Sequence, residues 1–232
     1  MPKELIAAIE VTKYYNRGKA NEVLAVSGVS VGIMRGDLVV LKGPSGSGKT
    51  TLLSLIGCMT RPTSGSIFLD GSDVSHLPER FLTNIRRKTY GFIFQQFHLI
   101  KGLSVIDNVM APLYSSDINI AELRQRAGAV LENLGMSKRT NFQVQGISGG
   151  EQQRTAIARA LINDPEIILA DEPTAHLDTS LSKDFMAIIK EFQKNGKTVI
   201  IASHDPLVYE DQDIDLTVGM RDGVVRDMLR KG

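Results

Sequence analysis

The period of the hydrophobic positions changes twice along the chain, and each change predicts a different kind of element. Short apolar runs bounded by polar turns predict strands at Ile6 to Val11, Val29 to Ile33, Leu38 to Leu41, Ile67 to Leu69, Gly91 to Phe94, Ile167 to Ala170, Thr198 to Ala202 and Leu216 to Met220. The runs Leu38-Val39-Val40-Leu41 and Ile167-Ile168-Leu169-Ala170 are apolar throughout, as strands covered on both faces are. With helical patterns between the later strands, they predict an α/β fold with a largely parallel sheet. Near the N-terminus Val29, Val31 and Ile33 alternate with Ser30, Gly32 and Met34, and short turns such as Arg35-Gly36-Asp37 separate neighbours, which predicts an antiparallel patch. From Phe97 to Asn163 no strand pattern occurs. Helical spacing instead covers Val105 to Leu113, Ile120 to Leu134 and Gly150 to Leu161, an all-helical insertion in the α/β core.

These periods divide one domain, 1–232, into an α/β core of 1–96 and 164–232 and a helical unit of 97–163. Its 232 residues, 42% of them hydrophobic, suffice for a buried core. Lys and Arg number 27 against 26 Asp and Glu, which argues against a generally basic nucleic-acid binder while leaving room for local patches, and no nucleic-acid partner is expected. Cys58 is the only cysteine and lies among Leu55, Ile56 and Met59, which excludes an internal disulfide and predicts a packed core thiol. The N-terminal run MPKELIAAIEV is too short for a signal peptide, and no stretch approaches the length of a membrane span. A cytoplasmic chain is expected, with any membrane role exercised through a spanning partner.

Between the strand at Leu38 and the helical run Thr51 to Ile56 stands GPSGSGKT, Gly43 to Thr50. A glycine-rich turn from a buried strand into a helix, with this spacing, is a P-loop. Gly43, Ser45, Gly46, Ser47, Gly48 and Thr51 belong to a backbone that wraps phosphates at a helix N-terminus, Lys49 reaches the β- and γ-phosphates, and Thr50 holds Mg²⁺. ATP or GTP is the expected ligand. Asp171 and Glu172 end another buried run, at the edge where open α/β sheets bind ligands; there an aspartate holds Mg²⁺ and a glutamate polarises a water. His204 follows a third strand and Gln95 closes a fourth, in positions to touch a γ-phosphate, the attacking water or the metal. His76, His98 and His176 have ordinary surface roles as their simplest reading. Ser148 and two glycines open the alanine-rich helix, on local grounds as an ordinary N-cap before a solvated polar turn; the other reading, a further anion-seeking N-terminus, is one that a single nucleotide leaves unexplained.

GPSGSGKT, Gln95, ISGGEQQR, IILADEPTAHLD and His204, in that order, resemble the ATP-binding-cassette (ABC) ATPase family from end to end. The resemblance implies a P-loop NTPase (RecA-like) core with an N-terminal antiparallel β subdomain and an inserted helical subdomain. It implies Mg²⁺ and ATP as cofactor and substrate, Lys49 and Thr50 in the Walker A motif, Asp171 and Glu172 in Walker B, Gln95 in the Q-loop and His204 as the switch histidine. Catalysis then rests on Glu172, His204, Gln95 and Lys49, and metal binding on Thr50, Gln95 and Asp171. Tyr15, with Tyr14 as the alternative, matches the aromatic that stacks on adenine, and Ala175 to Asp178 the D-loop. Ser148, Gly150 and Glu151 belong to the signature that meets ATP held by a second subunit, which accounts for the spare N-terminus by a homodimer. YGFIFQQFHLIKGLSVIDNV and SLIGCMTRPTSGSI are most similar to macrolide-exporter and lipoprotein-release ATPases, which implies integral membrane permease subunits, attachment at the cytoplasmic face of the inner membrane, and an extracytoplasmic adaptor reached through the permease. His176, Val144 and Gly146 depart from the family pattern. The alternative that keeps the same chemistry is an ATP-dependent regulator of a membrane complex in cell-envelope or cell-division control, without cargo.

Overall fold

Along the chain, the computed structural model, which describes residues 4–114, 117–175 and 177–231, runs through β1 (Glu4–Tyr15), β2 (Val23–Met34), β3 (Leu38–Lys42), α1 (Lys49–Ile56), β4 (Ser64–Leu69), β5 (Ser72–Asp73), α2 (Glu79–Thr89) and β6 (Tyr90–Ile93). It continues through α3 (Val105–Met110), α4 (Ile120–Asn133), α5 (Gly149–Leu161), β7 (Ile167–Asp171), α6 (Thr179–Lys194), β8 (Thr198–Ser203), α7 (Pro206–Tyr209), β9 (Leu216–Arg221) and β10 (Val224–Arg230). The strands form a four-stranded antiparallel sheet, β2-β1-β4-β5, and a six-stranded sheet in the order β10-β9-β3-β8-β7-β6. In the larger sheet only β10 runs antiparallel to its neighbour.

Burial explains why the two strand patterns differ. Residues of the central parallel strands point alternately into two cores. Leu38, Val40, Ile168, Ala170, Val199 and Ile201 pack with α3 to α6, while Val39, Leu41, Ile167, Leu169, Ile200 and Ala202 pack with α1 and the antiparallel sheet. Both faces are covered, so the runs are apolar throughout. In β2 the buried residues Val29, Val31 and Ile33 alternate with exposed or half-buried ones, and Val26 is buried as well. Leu52, Leu55 and Ile56 bury α1 between the sheets, each contributing roughly 1.5–3 kcal/mol by removal from water. That burial fixes α1, and with it the loop that opens it.

Three expectations are corrected. The Arg35-Gly36-Asp37 turn joins no hairpin: it passes the chain from β2 in one sheet to β3 in the other, and Gly36, at φ +82°, donates its N–H to Thr198 Oγ1 of β8. The helix from Val105 stops at Met110 and tightens into a 3₁₀ turn at Ala111–Leu113, because Pro112 has no N–H to donate. Gln95 does not close β6, which ends at Ile93; it lies exposed on the loop beyond. Between 97 and 163 the described residues form α3, α4, α5 and short 3₁₀ turns, with one isolated bridge between Ser104 and Gln143. Cys58 is buried, and burial pushes its thiol up to about 11.

Candidate functional site: a phosphate cradle at three strand ends

Strand order brings the candidate residues together. β8 lies between β3 and β7, with Lys42 opposite Ser203 and Asp171 opposite Ala202, so the loops after Lys42, Asp171 and Ser203 leave the sheet side by side. They carry the P-loop, Glu172 and His204.

The P-loop needs its glycines for shape. Gly43 (φ +151°), Gly46 (φ +78°) and Gly48 (φ +100°) hold backbone that side chains rarely adopt, and a Cβ on Gly48 would stand 2.5 Å from Ala25 O. The turn wraps around Lys49, which is 4% exposed and donates to Gly43 O at 2.7 Å and Pro44 O at 3.0 Å. Helices α3, α4, α5, α6 and α7 each start under a capping side chain; α1 and α2 do not, and of these two only α1 also lacks an acidic residue in its first turn. Its first N–H groups and the positive end of its dipole are left for an anion. Ser47, 2% exposed, buries in the same loop a hydroxyl without a hydrogen-bond partner, close against Gly43. A buried orphan beside an uncapped helix start fits a phosphate.

The acidic pair closes the other side. Thr50 Oγ1 donates to Asp171 Oδ1 at 2.8 Å. Burial, and then the neighbouring Glu172 carboxylate, push the Asp171 carboxyl above its ordinary range, against the opposing Thr50 hydrogen bond and Lys49 charge. A raised carboxylate beside a hydroxyl fits a divalent cation, whose charge would relieve the desolvation. Among the described residues no cluster of three or more His, Cys, Asp or Glu could hold a metal alone, so the nucleotide's phosphates would complete its shell. Glu172 sits at φ +44°, a conformation uncommon outside glycine, with its N–H donated to Ala202 O. Its carboxylate is 3.3 Å from Lys49 Nζ and 2.9 Å from His204 Nδ1, and it also accepts the His204 N–H at 3.3 Å. The carboxylate accepts, so Nδ1 carries the proton.

Other candidates lie outside this set. Tyr15 ends β1, 39% exposed, with Lys13 Nζ 5.2 Å from its ring centre; Tyr14 is half-buried under Arg17. Ser45 is exposed, and Thr51 lies in the first turn of α1. Ser148 caps α5 in a reciprocal box, its hydroxyl accepting the Glu151 N–H and the Glu151 carboxylate accepting the Ser148 N–H. Since that hydroxyl only accepts here, its own proton stays free for an anion. Arg139, followed by the Ser148 N–H, holds the Glu151 carboxyl below its ordinary range. Gly150 presses against Leu181, where a Cβ would come within 2.9 Å. Asp178 caps α6, and His176 lies outside the described residues.

The sequence reading missed one support. Gly223, in the turn between β9 and β10, donates its N–H to Ser47 O at 3.1 Å and accepts from the Ser27 N–H at 2.8 Å, bracing the P-loop from outside against β2. Only the tight Asp222-Gly223 turn, with both residues at positive φ, hinted at a hairpin.

The family described as ABC transporter matches residues 26–175. Over 208 residues the chain is 43% identical to a macrolide export ATP-binding/permease protein, MacB of Hyphomonas neptunium, across 90% of this chain and 32% of that protein. The chain thus spans about a third of the length of the MacB proteins it matches. An uncharacterized ABC transporter ATP-binding protein of Bacillus subtilis, YvrO, is 42% identical, with 92% of each chain covered. A dimeric structure described as a bacterial ABC transporter cassette shares the fold with a TM-score of 0.88 at 38% identity, over 98% of this chain and 99% of that one. A dimeric post-hydrolysis cassette bound to ADP and Pi matches with a TM-score of 0.88 at 37% identity over the same shares.

Proposed function

The chain belongs to the ABC transporter family and is an ABC ATPase, and from that premise we propose that it works as a homodimer whose ATP binding and hydrolysis drive a membrane permease. The observation that carries this reading is the continuous contact set Thr50-Asp171 and Lys49-Glu172-His204 around an uncapped helix start. Lys49 leaves Glu172 for the β- and γ-phosphates, while Ser47 and the N–H groups opening α1 take the remaining oxygens. Freed of Lys49, the Glu172 carboxylate accepts a proton from the water that attacks the γ-phosphorus in line, with His204 orienting that carboxylate through Nδ1. Thr50, Asp171 and Gln95 would hold Mg²⁺, which neutralises charge on the transferring phosphoryl group. Tyr15 stacks on the adenine. Ser148, Gly150 and Glu151 close over the γ-phosphate of the partner's nucleotide, so each hydrolytic site draws on two chains.

Dimeric relatives support that arrangement, and the ATP-binding/permease names of the MacB relatives support a membrane partner. Among the described residues no helix is long and apolar enough to cross a membrane. The permease would dock at the cytoplasmic membrane face, a helix entering the open groove of about 380 Å³ lined by Met59, Phe92, Phe94, Pro112 and Arg159. An extracytoplasmic adaptor would act through that permease. The test is Glu172→Gln: the variant is expected to keep ATP binding, lose turnover and accumulate as an ATP-dependent dimer in size-exclusion chromatography with light scattering. A variant that hydrolyses at the parental rate, or stays monomeric with saturating ATP, overturns the reading.

A further inference from the structure

A carboxylate in the first turn of α5 works against the role proposed for that turn. Glu151 closes the capping box on Ser148, and its negative charge offsets the positive end of the helix dipole that a phosphate seeks. Its side chain is 25% exposed, so water and salt screen that charge only in part. Among the described residues one charged side chain pairs with it. Arg139 Nε donates to Glu151 Oε1 at 2.6 Å, while Oε2 accepts the Ser148 N–H at 2.8 Å, so both carboxylate oxygens are engaged. Arg139 is itself held. It ends the 3₁₀ turn Ser137–Arg139, its guanidinium lies 4.9 Å from the centre of the Phe142 ring, and its carbonyl accepts the Phe142 N–H. The Phe142 carbonyl in turn accepts the Val105 N–H at the start of α3. A planar cation already fixed by stacking loses little freedom when it meets a carboxylate.

We infer that Arg139 is the positioning residue that makes a phosphate-meeting turn tolerate Glu151: it neutralises the carboxylate and fixes it on the Ser148 N–H, so that the Ser148 hydroxyl proton faces the partner's nucleotide without an unpaired negative charge beside it. The inference rests on the composite site proposed above. Without Arg139 the carboxylate keeps its charge, stands beside the incoming γ-phosphate and repels it. Glutamine at 151 keeps an acceptor for the Ser148 N–H and carries no charge. The cost of losing Arg139 therefore depends on whether residue 151 is charged. A plain structural brace, acting through the Phe142 turn, would be missed equally with glutamate or glutamine in place.

The experiment is a double-substitution cycle of Arg139→Met, Glu151→Gln and the two together. ATP-driven dimerisation is read by light scattering with Glu172→Gln added to every member, and turnover is read without it. Titration of a fluorescent ATP analogue at concentrations where the chain is monomeric gives the affinity of the P-loop side, and melting is recorded throughout. Arg139→Met is expected to raise the dimer dissociation constant about ten-fold and to lower turnover at a fixed enzyme concentration, with analogue affinity unchanged, because a charge-assisted contact is lost at the partner's side alone. Measured against Glu151→Gln, the same substitution costs about two-fold or less. Added salt narrows the gap between Arg139→Met and its parent, since it screens the repulsion. If the Met variant fails to fold, Arg139→Gln takes its place in the cycle. An equal loss in the glutamate and glutamine backgrounds overturns the inference, as does a folded Arg139→Met that dimerises like its parent. A Glu172→Gln chain that stays monomeric with saturating ATP overturns the composite site instead, and the role of Arg139 with it.

Discussion

Ser47→Ala is expected to move stability and binding in opposite directions. In the free chain the Ser47 hydroxyl is buried at 2% exposure and makes no hydrogen bond. Leaving such a group unsatisfied costs about 1–3 kcal/mol, and alanine removes the group without leaving a cavity of any size. The nucleotide-free variant should therefore be more stable by about 1 kcal/mol, which in a chain of this length raises Tm by about 2–4 °C. On the proposed function the same hydroxyl donates to a phosphate oxygen of bound ATP, a hydrogen bond to a charged group worth about 1.5–3 kcal/mol, so Kd should rise about 10- to 100-fold. Differential scanning calorimetry without nucleotide and titration with a fluorescent ATP analogue read the two effects independently. A variant that melts below the parent shows that the hydroxyl is satisfied in the free protein. One that melts higher but binds ATP as tightly shows that Ser47 does not face the phosphates.

In Glu172→Gln, Lys49 no longer has a carboxylate 3.3 Å away to leave, and the phosphates no longer meet a second negative charge; ATP affinity should rise about ten-fold while turnover falls at least about 100-fold, and unchanged affinity in a titration would show that the Lys49-Glu172 pair does not compete with nucleotide. Asp171→Asn should stabilise the free chain, because burial holds the folded carboxyl above its ordinary range. The folded state then binds more protons than the unfolded one, and parental stability declines as pH rises through the window between the ordinary and the raised value. The advantage of asparagine grows with pH and closes in acid, as urea unfolding at several pH values will show; an advantage independent of pH assigns the effect to something other than this proton. Gly48→Ala forces a Cβ to 2.5 Å from Ala25 O at φ +100°, so a loss of about 2 kcal/mol in chemical denaturation is expected, together with weaker nucleotide binding, and a variant of parental stability would mean that the loop relaxes around it.

What the sequence disclosed, it disclosed through short-range chemistry. Gly43 to Thr50 between an apolar run and a helical one predicts both a loop and its ligand, because the motif contains its own geometry. The parallel strands were legible because burial on two faces leaves continuous apolar runs such as Thr198 to Ala202. β10 escaped notice because it packs at the sheet edge with most of Arg226 to Arg230 exposed, so no periodic face marks it. The Arg35-Gly36-Asp37 turn misled because a tight turn reads the same whether it closes a hairpin or changes sheets; only the Gly36-Thr198 contact, 162 residues apart, decides. Gly223 under Ser47 and Arg159 on Phe97 and His98 are likewise contacts to backbone atoms, and a backbone acceptor leaves no signature in the partner's residue type.

On the proposed function, the contacts within the site stand where its ligand's contacts would be, as substitutes for them. Lys49 lies on Gly43 O, Pro44 O and Glu172 where phosphates would take its charge, and Thr50 donates to Asp171 where a cation would stand between them. Each substitute is imperfect. Ser47 has no partner, α1 has no cap, and Asp171 remains desolvated despite the Thr50 bond. A triphosphate answers the first two deficits and its cation the third, so binding gains from groups the folded chain has already ordered, at little further entropic cost. On the proposed function, it is the phosphate drawing Lys49 to itself that frees Glu172 from a contact of 3.3 Å. His204 stays in contact with that carboxylate by two hydrogen bonds, one from the ring and one from the backbone, so the base is oriented before it is freed. On that function the lysine proposed to bind the phosphates is also the group in contact with the proposed base, at 3.3 Å.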